Sequence, residues 1–197
     1  LHSLRRRQRQ MCIRDSPEIV RYKTLEDGDS LALHIFKPRN MQAGEKRPAI
    51  VYFFGGGWKL GTPIQFYREC AYYASKGMVA VSVDYRIGYL HHSTPFESFE
   101  DAKDAICWLR SHASDYQLDP DKIAVAGGSA GGHLAAALGT IGSDETVPAG
   151  YRPNLSVLYY PVIDMVSRGY GFPEIKRDFE KISPIHHVSE ATPSTLI

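Results

Sequence analysis

Five residues past the middle of the chain, Gly127-Gly128-Ser129-Ala130-Gly131, fit the pattern G-x-S-x-G. The string alone is weak, because three fixed positions recur by chance in roughly 6 % of chains this long. Its setting makes it specific. A β-rich apolar run, Ile123 to Ala126, leads directly in, and an alanine-rich helical run, Ala130 to Thr140, leads directly out. A serine on so tight a strand-to-helix turn is expected to be held in a strained conformation with its hydroxyl clear of the sheet, as a nucleophile must be. Glycines two before and two after keep strand and helix from colliding. Ala130 then places its amide beside Ser129 at a helix N-terminus, where developing negative charge is favoured.

A second signal lies about seventy residues upstream. Phe54-Gly55-Gly56-Gly57-Trp58 follows the continuous apolar run Ala49 to Phe54, and three glycines there let backbone amides approach a ligand closely. Amides of Gly56, Gly57 and Ala130 are the expected oxyanion hole, each donor worth roughly 2.7–4 kcal/mol in a transition state. Trp58, Tyr85 and His92 are candidates for a substrate pocket. The eight histidines offer no evident base. His133 lies one helical turn beyond Ser129, so it points along the helix, as a packing residue or pocket-floor hydrogen bonder. Neither His91-His92 nor His186-His187 has further ligands at metal spacing, so no metal and no cofactor is expected.

These residues need elements to position them. From Pro17 onward, short β-rich runs alternate with longer helical ones. Glu18 to Thr24 and Leu31 to Lys37 alternate polar and apolar residues around the turn Glu26 to Asp29, as an antiparallel hairpin does. Ala49–Phe54, Met78–Val83, Ile123–Ala126 and Leu155–Tyr160 read as buried strands. Gln65 to Lys76 reads as a helix ended by Gly77. Phe96 to Ser114 reads as another, with Phe99, Ala102, Ile106 and Leu109 on one face. Asp84 to Thr94 is expected as a loop, Ser167 to Ser194 as irregular chain, and Thr195 to Ile197 as the start of a last strand. Strands alternating with helices of this length predict an α/β fold: a mostly parallel twisted sheet with helices on both faces.

The totals are those of one globular domain: 197 residues, 43 % hydrophobic and 23 % charged. No run approaches the roughly 20 apolar residues of a membrane-spanning helix. The first fifteen residues do not match the rest. They carry five arginines and one acid, and Arg6 to Asp15 resembles the read-through translation of a transposon-end adaptor used in sequencing libraries. Residues 1–16 are therefore read as a non-native tail and 17–197 as the domain. Without the first fifteen, Lys+Arg falls from 23 to 18 and Asp+Glu from 22 to 21, so the formal charge moves from +1 to −3. Neither a nucleic-acid nor a membrane partner is then expected. Cys70 and Cys107 fall in helical patterns and read as buried small hydrophobes.

From Pro17 to Ile197 the chain resembles the hormone-sensitive-lipase-like and acetyl-esterase branch of the α/β-hydrolases. It is especially similar to bacterial carbohydrate esterases of the acetylxylan/feruloyl type. The resemblance rests on Phe53 to Trp58, Val83-Asp84-Tyr85-Arg86, Gly127 to Ala135, and Ser183 to Val188. The family usually has His where this chain has Phe54, a loss of one polar buttress that leaves the glycine amides in place. It implies that His186-His187 is structural. It also implies a catalytic acid in an H-G-x-x-D stretch after the strand begun at Thr195, and a catalytic His further on. Both are expected beyond Ile197, with Asp164 as a less favoured alternative acid. The implied function is a serine carboxylic-ester hydrolase acting on small acyl esters such as acetylated carbohydrate. A prolyl-oligopeptidase-like peptidase or amidase shares the same turn, and a non-catalytic binding module shares the same fold.

Overall fold

The computed structural model describes residues 16–141, 149–165, 175 and 178–197. The arginine-rich segment up to Asp15 lies outside the described residues, as does most of the stretch from Ser167 to Arg177. Seven strands form one sheet: β1 (Glu18–Thr24), β2 (Ser30–Phe36), β3 (Arg47–Phe53), β4 (Val79–Val83), β5 (Leu118–Gly128), β6 (Leu155–Tyr159) and β7 (Ser194–Leu196). Their spatial order is β1-β2-β4-β3-β5-β6-β7. The leading hairpin is antiparallel and joins β4 antiparallel, while β4, β3, β5, β6 and β7 run parallel. This is the mostly parallel α/β sheet expected.

Three helices make the crossovers from β3 to β6: α1 (Tyr67–Ser75), α3 (Pro95–Ser111) and α4 (Ala130–Thr140). The short α2 (Gly88–His91) lies in the segment expected as a loop, and α5 (Phe179–Ile182) follows β6. Between β3 and β4 the chain moves one way across the sheet; from β4 to β5 it crosses back over β3. Right-handed crossovers therefore put α1 on one face and α3 and α4 on the other. The reversal falls between β3 and β5. Ligands of open α/β sheets bind at such a switch point, at the carboxyl ends of the strands.

Several boundaries differ from expectation for local reasons. The helix predicted from Gln65 opens instead as a 3₁₀ turn, Pro63–Phe66. There the Ser82 hydroxyl donates to the Pro63 carbonyl at 2.7 Å, drawing that carbonyl out of a helical ladder. β5 begins at Leu118, earlier than predicted, but shifts register opposite Arg47 to Ala49, so the turn at Asp119 to Asp121 survives as a bulge. β6 is not buried throughout: Ser156 and Leu158 are buried, while Leu155 and Tyr159 lie on the opposite, partly exposed face. The predicted α3 face is buried at Phe99, Ala102, Ile106 and Leu109. Cys70 is buried as expected, but Cys107 is exposed, because it follows Ile106 around α3 and leaves the buried stripe.

Candidate active site

The site begins with how β5 turns into α4. Ser129 stands at the turn with φ 54 and ψ −118, a conformation costly for any residue with a Cβ. Three backbone hydrogen bonds hold it there: Ser129 N–H donates to the Tyr159 carbonyl at 3.0 Å, and the Ser129 carbonyl accepts from His133 N–H at 2.9 Å and from Val162 N–H at 3.4 Å. The flanking glycines are dictated by contact. A Cβ on Gly131 would lie 2.0 Å from the Phe53 carbonyl oxygen, and one on Gly127 would lie 2.3 Å from the Gly131 oxygen. From Ile123 to Thr140 every residue is buried except Ser129. The fold thus commits a whole strand and helix to packing and leaves one hydroxyl-bearing residue reaching out.

The glycine loop after β3 passes against this turn. The register pairs Phe53 with Gly127, so both loops leave the sheet at one level. A Cβ on Gly55 would lie 2.9 Å from the Gly128 oxygen and 3.5 Å from the Ser129 Cβ. Gly55 N–H is already committed, donating to Gln65 Oε1 at 2.5 Å. The next two residues continue at positive φ, 139 for Gly56 and 64 for Gly57. Beneath the loop, the Phe54 and Tyr85 rings stack with centroids 4.0 Å apart, and Tyr85 Oη donates to the Phe54 carbonyl at 2.6 Å. That buried aromatic pair props the loop at the position where the polar buttress is absent. Tyr85 is accordingly fully buried and lies outside the lining of the cleft that opens beside the loop. A cleft of about 260 Å³ opens beside the loop, lined by Gly57, Trp58, Lys59, Gly88, Tyr89, His92, Ser93 and Pro95. Trp58 and His92 therefore share one cleft, Trp58 as its buried floor and His92 at its exposed rim.

The BD-FAE family model matches residues 33–177. The chain belongs to the BD-FAE family of α/β-hydrolases. Among solved structures, a thermophilic esterase from Thermogutta terrifontis, Est2, superposes with a TM-score of 0.83 at 36 % identity, covering 91 % of this chain and 69 % of Est2. Esterase LipC of Mycobacterium tuberculosis is 35 % identical over 62 % of this chain and 30 % of LipC. Carboxylic ester hydrolase LipN of the same organism is 33 % identical over 70 % of this chain and 39 % of LipN. The chain thus spans about a third of the length of these curated relatives.

The remaining candidates of this BD-FAE domain have definite places. His133 is fully buried, its Nε2 2.7 Å from the Ile182 carbonyl and its ring edge-on to the Trp58 indole at 5.1 Å. The carbonyl accepts, so Nε2 carries the proton, and burial pushes the imidazole pKa down to about 4. It ties α4 to the glycine loop and to α5. His187 bonds the Glu180 carbonyl at 2.8 Å, and His91 Nδ1 accepts from Ile87 N–H at 2.9 Å. Among the described residues no imidazole is hydrogen-bonded to Ser129. Asp164 is partly buried in the segment after β6, its neighbours pinned by bonds from Ile185 N–H to the Ile163 carbonyl and from Met165 N–H to Ser183 Oγ.

Two supports of the BD-FAE site escape sequence reasoning. One is Gln65, which fixes the first loop amide. The other is the buried carboxylate of Asp101, gripped by Arg86 through Nε at 2.8 Å and Nη2 at 2.8 Å, by Arg86 N–H at 2.9 Å, and by Lys23 at 2.6 Å. Nothing in the spacing of Tyr85-Arg86 and Asp101 announces this partnership. An unpaired acid on the apolar face of α3 was the available signal.

Proposed function

We propose that this domain carries the nucleophile of a serine carboxylic-ester hydrolase working through an acyl-enzyme. The observation that carries the reading is Ser129, strained, partly exposed, and alone in being so within an otherwise buried strand and helix. In the reaction, Ser129 Oγ adds to the ester carbonyl and its proton passes to a general base. The carbonyl oxygen gains the charge and lies against the amides of Gly56, Gly57 and Ala130. Collapse expels the alcohol, which takes the proton from the base, and water then repeats the sequence on the acyl-serine. The family resemblance assigns the base to a His and its orienting acid to an H-G-x-x-D stretch. Asp164, two residues past the segment that touches Ser129, is the alternative acid.

Small acyl groups suit this reading, acetylated carbohydrate among them. Est2 of Thermogutta terrifontis is known with propionate and with butyrate bound. The test is hydrolysis of p-nitrophenyl acetate and butyrate by the full-length protein and its Ser129→Ala variant. The variant should lose on the order of 10⁶ in kcat, the cost of removing a triad serine. Equal rates for the two proteins would sink the reading in favour of a binding module, and faster cleavage of matched anilides would favour an amidase.

A further inference from the structure

The peptide bond between Phe54 and Gly55 opens the glycine loop, and side chains hold both of its polar ends. Its carbonyl, that of Phe54, accepts from Tyr85 Oη at 2.6 Å, and its N–H, that of Gly55, donates to Gln65 Oε1 at 2.5 Å. Gln65 is itself carried on a fixed base. The Pro63–Phe66 turn is anchored to β4, where the Ser82 hydroxyl bonds the Pro63 carbonyl at 2.7 Å. It is anchored to β3 as well, where the Phe66 ring stacks on Tyr52 with centroids 4.8 Å apart. The chain between loop and turn closes tightly, since a Cβ on Gly61 would stand 2.6 Å from the Gly55 carbonyl oxygen. Both clamps therefore come from residues that the sheet holds in place.

Past this peptide the loop has little stiffness of its own. Gly56 and Gly57 stand at φ 139 and 64, and neither has a Cβ to bar a turned peptide plane. The Gly56–Gly57 peptide has a local anchor, its carbonyl accepting from Lys59 N–H at 3.1 Å and from Leu60 N–H at 3.2 Å. The Gly55–Gly56 peptide has none: among the described residues, neither the Gly55 carbonyl nor the Gly56 N–H has a hydrogen-bond partner. Its direction is inherited from the clamped peptide before it. We infer that Gln65 is a positioning residue of the oxyanion hole: together with Tyr85 it fixes the plane of the Phe54–Gly55 peptide, and so aims the Gly56 N–H at the carbonyl oxygen of the ester. Water could satisfy the Gly55 N–H equally well, but only an acceptor tethered to the sheet also sets its direction. A misaimed donor is costly because the charge it meets exists only in the transition state. This inference rests on the esterase reading above, and on its assignment of the loop amides.

The experiment uses the full-length protein. Gln65→Met keeps the side-chain length and removes the acceptor, while Tyr85→Phe keeps the ring stack and frees the other end of the peptide. Each is expected to lower kcat for p-nitrophenyl acetate about 10- to 100-fold, with KM changed less than about twofold. A trifluoromethyl ketone, whose carbonyl takes up Ser129 Oγ and keeps the charge on its oxygen, should bind more weakly by the same factor as kcat/KM falls. The plain methyl ketone, which forms no such adduct, should bind as before. Because both variants free one plane, the double variant should lose little more than the more impaired single. Should Gln65→Met not fold, Gln65→Asn, whose carboxamide falls one methylene short of Gly55, carries the same test. Parent-like kcat, a loss carried by KM, or ketone affinity that does not follow kcat/KM would each overturn the proposal and leave Gln65 a structural residue. Losses that multiply in the double variant would overturn it too, since independent effects do not share one peptide. Absence of Ser129-dependent hydrolysis in the parent protein would instead overturn the esterase reading, and this one with it.

Discussion

A methyl group at position 131 would stand 2.0 Å from the Phe53 carbonyl oxygen, while one at position 28, in the hairpin turn, would meet nothing within 4 Å. Both glycines look alike as turn or loop signals, and the difference is what surrounds them. Gly131→Ala must push α4 off β3, and is expected to cost about 3 kcal/mol or more. Gly28→Ala is penalised only for its φ of 87, by about 1–2 kcal/mol. Urea melts of the two variants check the contrast. The same local reading explains why Ser129 is legible in the amino-acid sequence alone. Small residues on both sides of a serine, between a strand and a helix, are a steric demand written within five positions. Tyr85 is not legible in this way: as a residue in a motif it suggests a pocket, and only the Phe54 ring, thirty-one residues away, turns it inward.

Elements whose information is local are readable almost to the residue. The helix Ala130–Thr140 has the predicted bounds, because a turn starts it and its alanines all pack. α3 starts one residue before its predicted start, at a capping box between Thr94 and Glu97. The 3₁₀ opening of α1, the bulge in β5 and the exposed face of β6 are hidden, since each depends on a partner strand or side chain far away in the chain. The Arg86–Asp101 pair belongs to this second group and has energetic weight. Asp101 is fully buried, and with Arg86 removed only Lys23 remains to balance it. Arg86→Ala is expected to destabilise by about 3–5 kcal/mol, whereas most surface arginines would cost little. It should also loosen the loop, because Tyr85 next door props Phe54. Stability and kcat are therefore expected to fall together in this variant, measured by thermal melts and ester turnover.

Across the whole molecule, one buried group and one partly buried group give the folded state opposite responses to acid. His133 has its pKa pushed down by burial to about 4, so between roughly pH 6.5 and 4 the unfolded chain binds more protons at this site. That term removes stability as pH falls. Asp84 has its pKa pushed up to about 6, chiefly by burial, so between about pH 6 and 4 the folded state binds more protons there. That term adds stability as pH falls. Each spans about two units, on the order of 3 kcal/mol, and they nearly cancel. Asp84→Asn should steepen acid destabilisation relative to the parent, and His133→Gln should flatten it, in denaturant melts from pH 7 to pH 4. The pairing of Phe53 with Gly127 has a further consequence, this time in kinetics. It joins positions 74 residues apart, so the two halves of the site meet only after a long loop has closed. Local helices form in microseconds and need no such closure. During refolding, helical signal should therefore return early, and the reactivity of Ser129 toward an organophosphate should appear only in the last phase, when the central strands dock and the chain first becomes able to react.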